Sequence, residues 1–157
     1  MDIAVPWFRK HGNVLPMIAL DKYPPEFAQA YQKTKDYISS ASKICGANHI
    51  PMVLLVIPAG VQVDKADWEF MGIQQLYTDK LFNENMVRAN SEFADFAKEQ
   101  RIPCLDLLPT FRQTTTRPLF LPKDGHFTRQ GSELTAQTLF SYLTTEKLIL
   151  IAPDSKK

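Results

Sequence analysis

The feature that most constrains the fold is a run of six apolar residues, 52–57, which reads MVLLVI and ends at Pro58. An uninterrupted apolar run of this length is typical of a strand that is buried on both faces of a parallel sheet. It is too short to favour a buried helix. The run therefore predicts an α/β fold with a mostly parallel sheet.

Two amphipathic helices flank this run. Between residues 27 and 45 apolar or small residues recur every three or four positions, and Gly46 is the expected C-terminal cap. The second helix is predicted to begin near Asn83 or Glu84 and to end at Ile102 and Pro103. An alternation of helix and strand indicates a layered α/β arrangement.

Residues 58–82 are predicted to form a long loop with one short helix near residues 67–71. Open α/β sheets place ligand sites in the loops that follow the carboxyl ends of their strands. Gln62 and Trp68 are therefore candidate substrate-binding residues. The alternatives are that Gln62 is a solvated loop residue and that Trp68 joins a small packed aromatic cluster with Phe70, Met71 and Tyr77.

A second short strand is predicted at residues 104–107, with Asp106 either capping the turn that follows or acting as a catalytic acid. Further strands are only weakly indicated, at residues 3–8 and 148–152, so the sheet is expected to be incomplete. Two cysteines, Cys45 and Cys104, are too few for a disulfide framework and are expected to be core thiols.

The segment LPKDGHFTRQG, residues 121–131, carries the clearest chemical signal. Asp124 lies two residues before His126, and a carboxylate that fixes the tautomer of an imidazole and stabilises its protonated form makes it a competent general base. The alternative is a histidine that hydrogen-bonds a backbone carbonyl. Thr128 is the expected N-cap of a last helix, and Gly131 permits a close approach of neighbouring backbone. The apolar residues expected to face inward from that helix are Leu134, Ala136, Leu139, Phe140 and Leu143.

Composition narrows the class of partner. With 18 basic and 17 acidic residues the net charge is +1, so no broad electrostatic field favours nucleic acid or an anionic membrane. The sequence shows neither a signal peptide nor an apolar run long enough to span a membrane, which leaves the localisation open. No histidine or cysteine lies at ligand spacing from His126, so neither a metal nor a cofactor is expected.

The order of these elements, with LFLPKDGHFTRQG after IPCLDLLP and before an amphipathic helix, resembles the C-terminal half of bacterial SGNH (GDSL-like) hydrolases. The resemblance includes the branch related to alginate O-acetylation proteins and covers roughly residues 31–143. It implies part of a flavodoxin-like three-layer α/β/α sandwich that lacks its N-terminal strands. It also implies cleavage or transfer of acyl esters, with Asp124 and His126 as the acid and base of a Ser-His-Asp triad.

The chain departs from that family in its nucleophile. The family carries its serine in an N-terminal block reading roughly GDS and completes the oxyanion hole with a glycine and an asparagine from two later blocks, and none of these blocks occurs here. Ser132 is interpreted as a residue of the first helical turn. The isolated chain is therefore expected to have little or no esterase activity.

The resemblance also gives expected boundaries and partners. Residues 1–24 are expected to be an N-terminal extension, residues 25–150 the C-terminal part of the hydrolase-like domain, and residues 151–157 a frayed tail. The expected substrate is an acylated small molecule or a carbohydrate ester. The alternative is a non-catalytic α/β module that binds a ligand or self-associates, so the expected protein partner is either a second copy or a missing N-terminal half.

Overall fold

The computed structural model describes residues 20, 22–70, 74–122 and 124–149. These residues form a mixed α/β arrangement that is mostly helical and contains a small parallel sheet of two strands. In chain order the elements are α1 (Pro25–Ala47), β1 (Leu54–Val56), α2 (Gly60–Val63), α3 (Lys65–Phe70), a 3-10 turn (Gln74–Leu76), a π-helical turn (Leu81–Asn85), α4 (Arg88–Glu99), β2 (Cys104–Asp106), α5 (Leu108–Gln113) and α6 (Arg129–Thr145). Two strands do not define a strand order, so the flavodoxin-like sandwich stays a prediction.

The two strands are parallel, as predicted, with Leu55 opposite Leu105. The ladder is extended at its ends by hydrogen bonds from Leu54 N to Pro103 O (2.8 Å) and from Leu107 N to Val56 O (3.1 Å). Every residue of both strands is half-buried. The expectation that β1 is buried on both faces is therefore wrong for the described residues.

Helix α1 confirms the predicted first helix but not its predicted end. Gly46 lies inside the helix, Asn48 is the C-cap, and His49 takes the left-handed conformation with φ of 56°. Because His49 reverses the chain, the backbone N–H of Ile50 can bond back to the carbonyl of Cys45 (2.9 Å). No residue of α1 is fully buried.

Aromatic side chains attach α1 to α4. The Tyr31 ring lies 4.8 Å from that of Phe93, and the Tyr31 hydroxyl donates to the carbonyl of Ala89 (3.0 Å). On another face of α1, Tyr37 and Ile44 are exposed. Helix α1 therefore packs through one aromatic stripe, and among the described residues nothing covers its second apolar stripe.

The predicted loop between the strands contains more structure than expected. The short helix expected near residues 67–71 is present as α3, while α2 was not anticipated. The predicted second helix begins irregularly, because a π-helical turn precedes α4 and the Thr78 hydroxyl accepts a hydrogen bond from Leu81 N (3.0 Å).

The larger buried cluster lies between the sheet, α5 and the segment that leads to α6. Its buried members are Val63, Leu107, Leu108, Phe111, Leu119 and Phe120, and Leu55, Leu105, Phe127 and Leu134 pack against it. Helix α6 confirms the predicted last helix, and its residues Leu134, Leu139 and Leu143 are half-buried. Ala136 and Phe140 are exposed, so their expected inward position is wrong; no described element covers that face of α6.

Several remaining predictions are decided only in part. The weak strand at residues 3–8 lies outside the described residues, as do most of the expected N-terminal extension and the tail, and Leu148 and Ile149 are not in a strand. Cys45 and Cys104 are free thiols and half-buried rather than core residues. Among the described helices, none has the length and apolarity needed to cross a membrane.

Candidate functional site

The DGH segment forms a short loop that closes on itself between two aromatic residues. Phe120 and Phe127 pair as an antiparallel bridge, and Leu121 N donates to the carbonyl of His126 (2.8 Å). Gly125 has φ of 76°, a conformation that suits glycine because it has no Cβ. The two ends of this loop, at Phe120 and Phe127, are therefore held together.

Three aromatic rings fasten this loop to the interior. Phe111 of α5, Phe120 and Phe127 lie with ring centroids 5.3 to 5.9 Å apart in tilted arrangements. Phe111 and Phe120 are both buried. Aromatic pairs in this geometry add to the stability that their buried area provides, so the base of the loop is rigid even though its tip is exposed.

The start of α6 holds the other side of the loop. The Thr128 hydroxyl accepts from Gly131 N (3.2 Å) and donates to the carbonyl of Pro118 (2.7 Å), which confirms the predicted N-cap. A Cβ at Gly131 would lie 2.2 Å from the carbonyl oxygen of Leu119, so the predicted close approach of backbone is also confirmed. Residue 131 must therefore be glycine for α6 to lie this close to the segment before the loop.

At the tip of the loop the His126 Nδ1 atom contacts a carboxylate oxygen of Asp124. Asp124 is the hydrogen-bonding partner of the ring within the described chain, rather than a backbone carbonyl. In the neutral tautomer that this contact favours, Nδ1–H donates to the carboxylate and Nε2 keeps its lone pair. The side chains are 83% exposed for His126 and 49% for Asp124, so Nε2 is open to an incoming hydroxyl.

The two groups shift each other's titration. The hydrogen bond to His126 lowers the pKa of Asp124, and the hydrogen bond to Asp124 together with its charge raises the pKa of His126. Because both side chains face water, solvent screens this interaction. The arrangement still favours an imidazole that can take a proton near neutral pH, with a carboxylate beside it to stabilise the imidazolium.

The carboxyl end of β1 lies next to the anchor of this loop. A Cβ at Gly60 would lie 2.4 Å from a carboxylate oxygen of Asp67 and 3.4 Å from the Phe120 ring. Burial, followed by the charge of Asp64, raises the pKa of Asp67. The segment between β1 and α2 therefore brings three residues together: Gly60, Asp67 and Phe120. No motif in the sequence predicted that they would lie close to one another.

Gln62 lies in the interior rather than in a solvated loop, so that alternative is wrong; its side chain is 3% exposed. Its Nε2 donates to Met86 O (2.6 Å) and to Asn90 Oδ1 (2.7 Å), and Asn90 Nδ2 donates to Asp106 Oδ1 (2.7 Å). Asp106 also accepts from Leu108 N (2.9 Å), which confirms its predicted role as the cap of the turn into α5. We call Gln62, Asn90 and Asp106 the Gln62 network.

Trp68 lies in a packed cluster, which confirms the alternative given for it. It is buried, its Nε1 donates to the carbonyl of Val61 (2.6 Å), and its ring meets Tyr77 edge-on at 5.4 Å. Met71 and the side chain of Phe70 lie outside the described residues. Direct contact of Gln62 or Trp68 with a substrate stays a prediction, and both side chains already have partners within the protein.

Two arginines that the sequence did not single out hold the surrounding segments. Arg112 donates to the carbonyls of Gln62 and Phe82 (both 2.7 Å), and Arg117 pairs with Asp64 (2.9 Å). Each therefore ties the region around α5 to the loop after β1. Neither an arginine that donates to distant backbone carbonyls nor one that pairs with a carboxylate 53 positions away has a sequence signature.

A nucleophile is not among the described contacts of His126. Ser132 lies in the first turn of α6, where its backbone N–H bonds to Thr128 O (3.0 Å), as expected of a first-turn residue. The described part of the chain also contains no group of three or more side chains placed to hold a metal ion. The exposed Asp124–His126 pair is the chemical centre that the described residues offer.

Comparison with known proteins identifies the family of the chain. Residues 74–156, slightly more than half of the chain, match the family described as SGNH hydrolase-like domain, acetyltransferase AlgX. The matched segment includes both Asp124 and His126. A search of the curated proteins found no match.

Proposed function

Because this chain belongs to the SGNH hydrolase-like family of the acetyltransferase AlgX, we propose that Asp124 and His126 are the acid and base of an acyl-ester site. The observation that carries the proposal is the contact between His126 Nδ1 and the Asp124 carboxylate on a loop with a rigid base. The substrate class is an acylated small molecule or carbohydrate ester, and the reaction is hydrolysis or transfer of the acyl group.

In this reaction His126 Nε2 takes the proton of a hydroxyl nucleophile as its oxygen attacks the acyl carbon. The imidazolium that forms is stabilised by Asp124 and then returns the proton to the leaving alcohol oxygen. A second alcohol or a water molecule, activated by the same Nε2 atom, releases the acyl group. The exposure of His126 suits this role because the nucleophile must reach Nε2 from outside the loop.

We propose that the nucleophilic serine lies outside these 157 residues. No Gly-Asp-Ser block occurs in the sequence. The loss of one oxyanion donor alone costs an enzyme about a hundredfold or more in rate, so a chain without nucleophile and donors is expected to be nearly inactive by itself. The chain would then supply the base and its orienting acid to a site completed by other residues.

The test is hydrolysis of an alkyl acetate by the pure chain, compared with an aryl acetate. An alkyl ester is needed because its poor leaving group separates a complete site from a free imidazole, which attacks activated aryl esters slowly. The expected result is no alkyl ester turnover above buffer, with slow aryl ester cleavage that is lost in His126→Ala and kept in His49→Ala. His49 is an exposed histidine without a carboxylate partner among the described residues.

Two outcomes would contradict the proposal. Rapid alkyl ester turnover by the pure chain, abolished in His126→Ala, would mean that the nucleophile is within these residues. Equal loss of aryl ester cleavage in His49→Ala and His126→Ala would mean that the Asp124 contact confers no special basicity on His126.

A further inference from the structure

The loop that carries His126 is closed below its tip by three hydrogen bonds between its two sides. Leu121 N donates to the carbonyl of His126 (2.8 Å), and further from the tip Thr128 N donates to the carbonyl of Leu119 (3.0 Å). Furthest from the tip, the Thr128 hydroxyl donates to the carbonyl of Pro118 (2.7 Å). The first two bonds join backbone to backbone. The third depends on a side chain, so it exists only because residue 128 carries a hydroxyl.

The imidazole of His126 is oriented by the loop backbone rather than by packing. Its side chain is 83% exposed, and its hydrogen-bonding partner among the described residues is Asp124. The backbones of both residues are fastened to Leu121, because Asp124 N donates to the carbonyl of Leu121 (3.3 Å) and Leu121 N donates to that of His126. Whatever holds the two sides of the loop together therefore also holds the Asp124–His126 contact.

We propose that Thr128 is a positioning residue, because the hydrogen bond from its hydroxyl to Pro118 O keeps His126 Nδ1 against the Asp124 carboxylate. The inference rests on the proposed function, since it concerns how the base of the acyl-ester site is held. With Nδ1–H donated to Asp124, Nε2 keeps the lone pair that accepts the proton of a hydroxyl nucleophile. Thr128 acts on the chemistry through His126 and does not itself contact the reacting atoms.

The Thr128 hydroxyl has a second partner, and the two contacts do different things. It accepts from Gly131 N (3.2 Å), which caps α6, whereas Pro118 lies outside the helix. A hydroxyl can serve both partners at once because it has one donor and two acceptor lone pairs. Residue 128 has φ of −70° and ψ of 175°, an extended conformation that suits a β-branched side chain. Capping and positioning can therefore be separated by substitution.

The test measures which ring nitrogen of the neutral His126 imidazole carries the proton, from the nitrogen NMR shifts of the folded chain. Thr128→Val keeps the shape of the side chain and loses the hydroxyl. The ratio of Nδ1–H to Nε2–H tautomer should fall by about threefold to tenfold, which is the factor that one ordinary hydrogen bond contributes to an equilibrium. Thr128→Ser retains the hydroxyl and should keep the parent ratio. A loss of stability alone would leave this ratio in the folded molecules unchanged.

The matched control is Thr138→Val in the same helix. Thr138 is half-buried, as Thr128 is, and its hydroxyl donates to the carbonyl of Leu134 (2.8 Å). The substitution therefore removes one threonine hydroxyl bond from α6 at a position away from the loop. The tautomer ratio of His126 is expected to stay at the parent value.

Thr128→Asp separates positioning from capping. Aspartate is at least as good an N-cap as threonine, so this variant should fold and keep α6. Its carboxylate can accept from Gly131 N but cannot donate to Pro118 O, so the tautomer ratio should fall as in Thr128→Val. The ratio is the measurement of choice here, because the added negative charge would by itself raise the pKa of His126. Thr128→Asp also decides the question if Thr128→Val is too unstable to study.

A double-variant cycle tests whether Thr128 acts through Asp124. In the Asp124→Ala background the carboxylate is absent, so Thr128→Val should change the tautomer ratio little further, and the two effects should not add. None of these measurements needs ester turnover. The positioning role can therefore fail while His126 remains the base, and the ester assays can fail while the tautomer ratio still responds to Thr128.

Three results would overturn the inference. One is a parent tautomer ratio in both Thr128→Val and Thr128→Asp. Another is an equal fall in Thr138→Val, which would show a general response of α6 to the loss of a hydroxyl. The third is a Thr128→Val effect that is as large in the Asp124→Ala background as in the parent chain, because Thr128 would then act on His126 by a route other than the Asp124 contact.

Discussion

The Asp124–His126 pair and the Gln62 network are both made of hydrogen-bonded polar side chains, but they lie in opposite environments. The pair is at the tip of an exposed loop, while Gln62 and Asn90 are buried and every buried side-chain nitrogen and oxygen in the described residues has a partner. An exposed pair contributes little to stability because water competes for both groups. A buried network holds its elements together because an unpaired buried group is costly.

The two regions have different roles in the molecule: the Gln62 network is structural and the Asp124–His126 pair is the proposed chemical site. The Gln62 network ties α2, α4, β2 and the start of α5 into one framework. The Asp124–His126 pair rests on that framework through buried anchors, Phe120 and Gly131, that take no part in the chemistry. Changes to anchors and network should therefore affect stability strongly, and changes to the pair should affect mainly proton affinity and reactivity, with only a small effect on stability.

The largest expected change in the free energy of unfolding comes from substitution of Gly131, which anchors the Asp124–His126 loop. Gly131→Ala would place a Cβ 2.2 Å from Leu119 O, and because that atom is backbone the helix must move. We expect a loss of about 1–3 kcal/mol in the free energy of unfolding, measured by denaturant titration. The control is Gly46→Ala in α1, where a Cβ meets nothing within 4 Å, and a gain of about 0.5–1 kcal/mol is expected.

The result at Gly131 also tests the link between anchor and chemistry. The displaced start of α6 should alter the NMR signals of His126 in the folded variant. Equal stability of Gly131→Ala and the parent chain, with unchanged His126 signals, would show that the loop is not held by this contact.

The next largest change in stability is expected from substitution of Asn90, which lies at the centre of the Gln62 network. Asn90→Ala removes one of the two acceptors for Gln62 Nε2 and one donor to Asp106, so we expect a loss of about 1–3 kcal/mol in the free energy of unfolding. The control is Ser39→Ala, which removes an exposed hydrogen bond to Gln100 and should change stability by less than about 0.5 kcal/mol. Thermal unfolding followed by circular dichroism measures both, and similar losses would contradict the assignment of a framework role to the network.

The contrast between the two regions also explains which parts of the molecule were predictable. The loop and its cap are local in sequence: Asp124, His126, Thr128 and Gly131 lie within eight positions, and the N-cap and close approach were confirmed. The Gln62 network joins residues 28 and 16 positions apart, so its partners are set by packing that no sequence period reveals. Gln62 was accordingly predicted to be a substrate-binding residue or, alternatively, a solvated loop residue, and neither prediction anticipated that its side chain is buried.

The same reasoning accounts for the fold. Both strands and their parallel direction followed from apolar runs and helix periodicity, which are local patterns. The exposure of Phe140 and the half-burial of β1 depend instead on which elements lie beside them. A periodic pattern identifies the apolar face of a helix or strand but not whether a neighbour covers it.

Substitution in the exposed Asp124–His126 pair is expected to change stability least and the pKa of His126 most. Asp124→Asn removes the negative charge and replaces the carboxylate acceptor with a weaker, neutral amide oxygen, so the pKa of His126 should fall towards its ordinary value of 6.5 in an NMR titration. The matched control is Glu133→Gln, which breaks the equally exposed pair with Arg129 and should leave the pKa of His126 unchanged.

The pH dependence of the pair follows from the directions of the two shifts. The folded pKa of His126 is raised, so its small contribution to stability is complete below the unfolded value and is lost as pH rises through the folded one. The folded pKa of Asp124 is lowered, so its contribution is present above the unfolded value and is lost as pH falls through the folded one. Asp124→Asn should therefore alter thermal stability slightly in the mildly acidic range between the two titrations and not at alkaline pH. An alkaline loss as large as the acidic one would mean that Asp124 acts through a group other than His126.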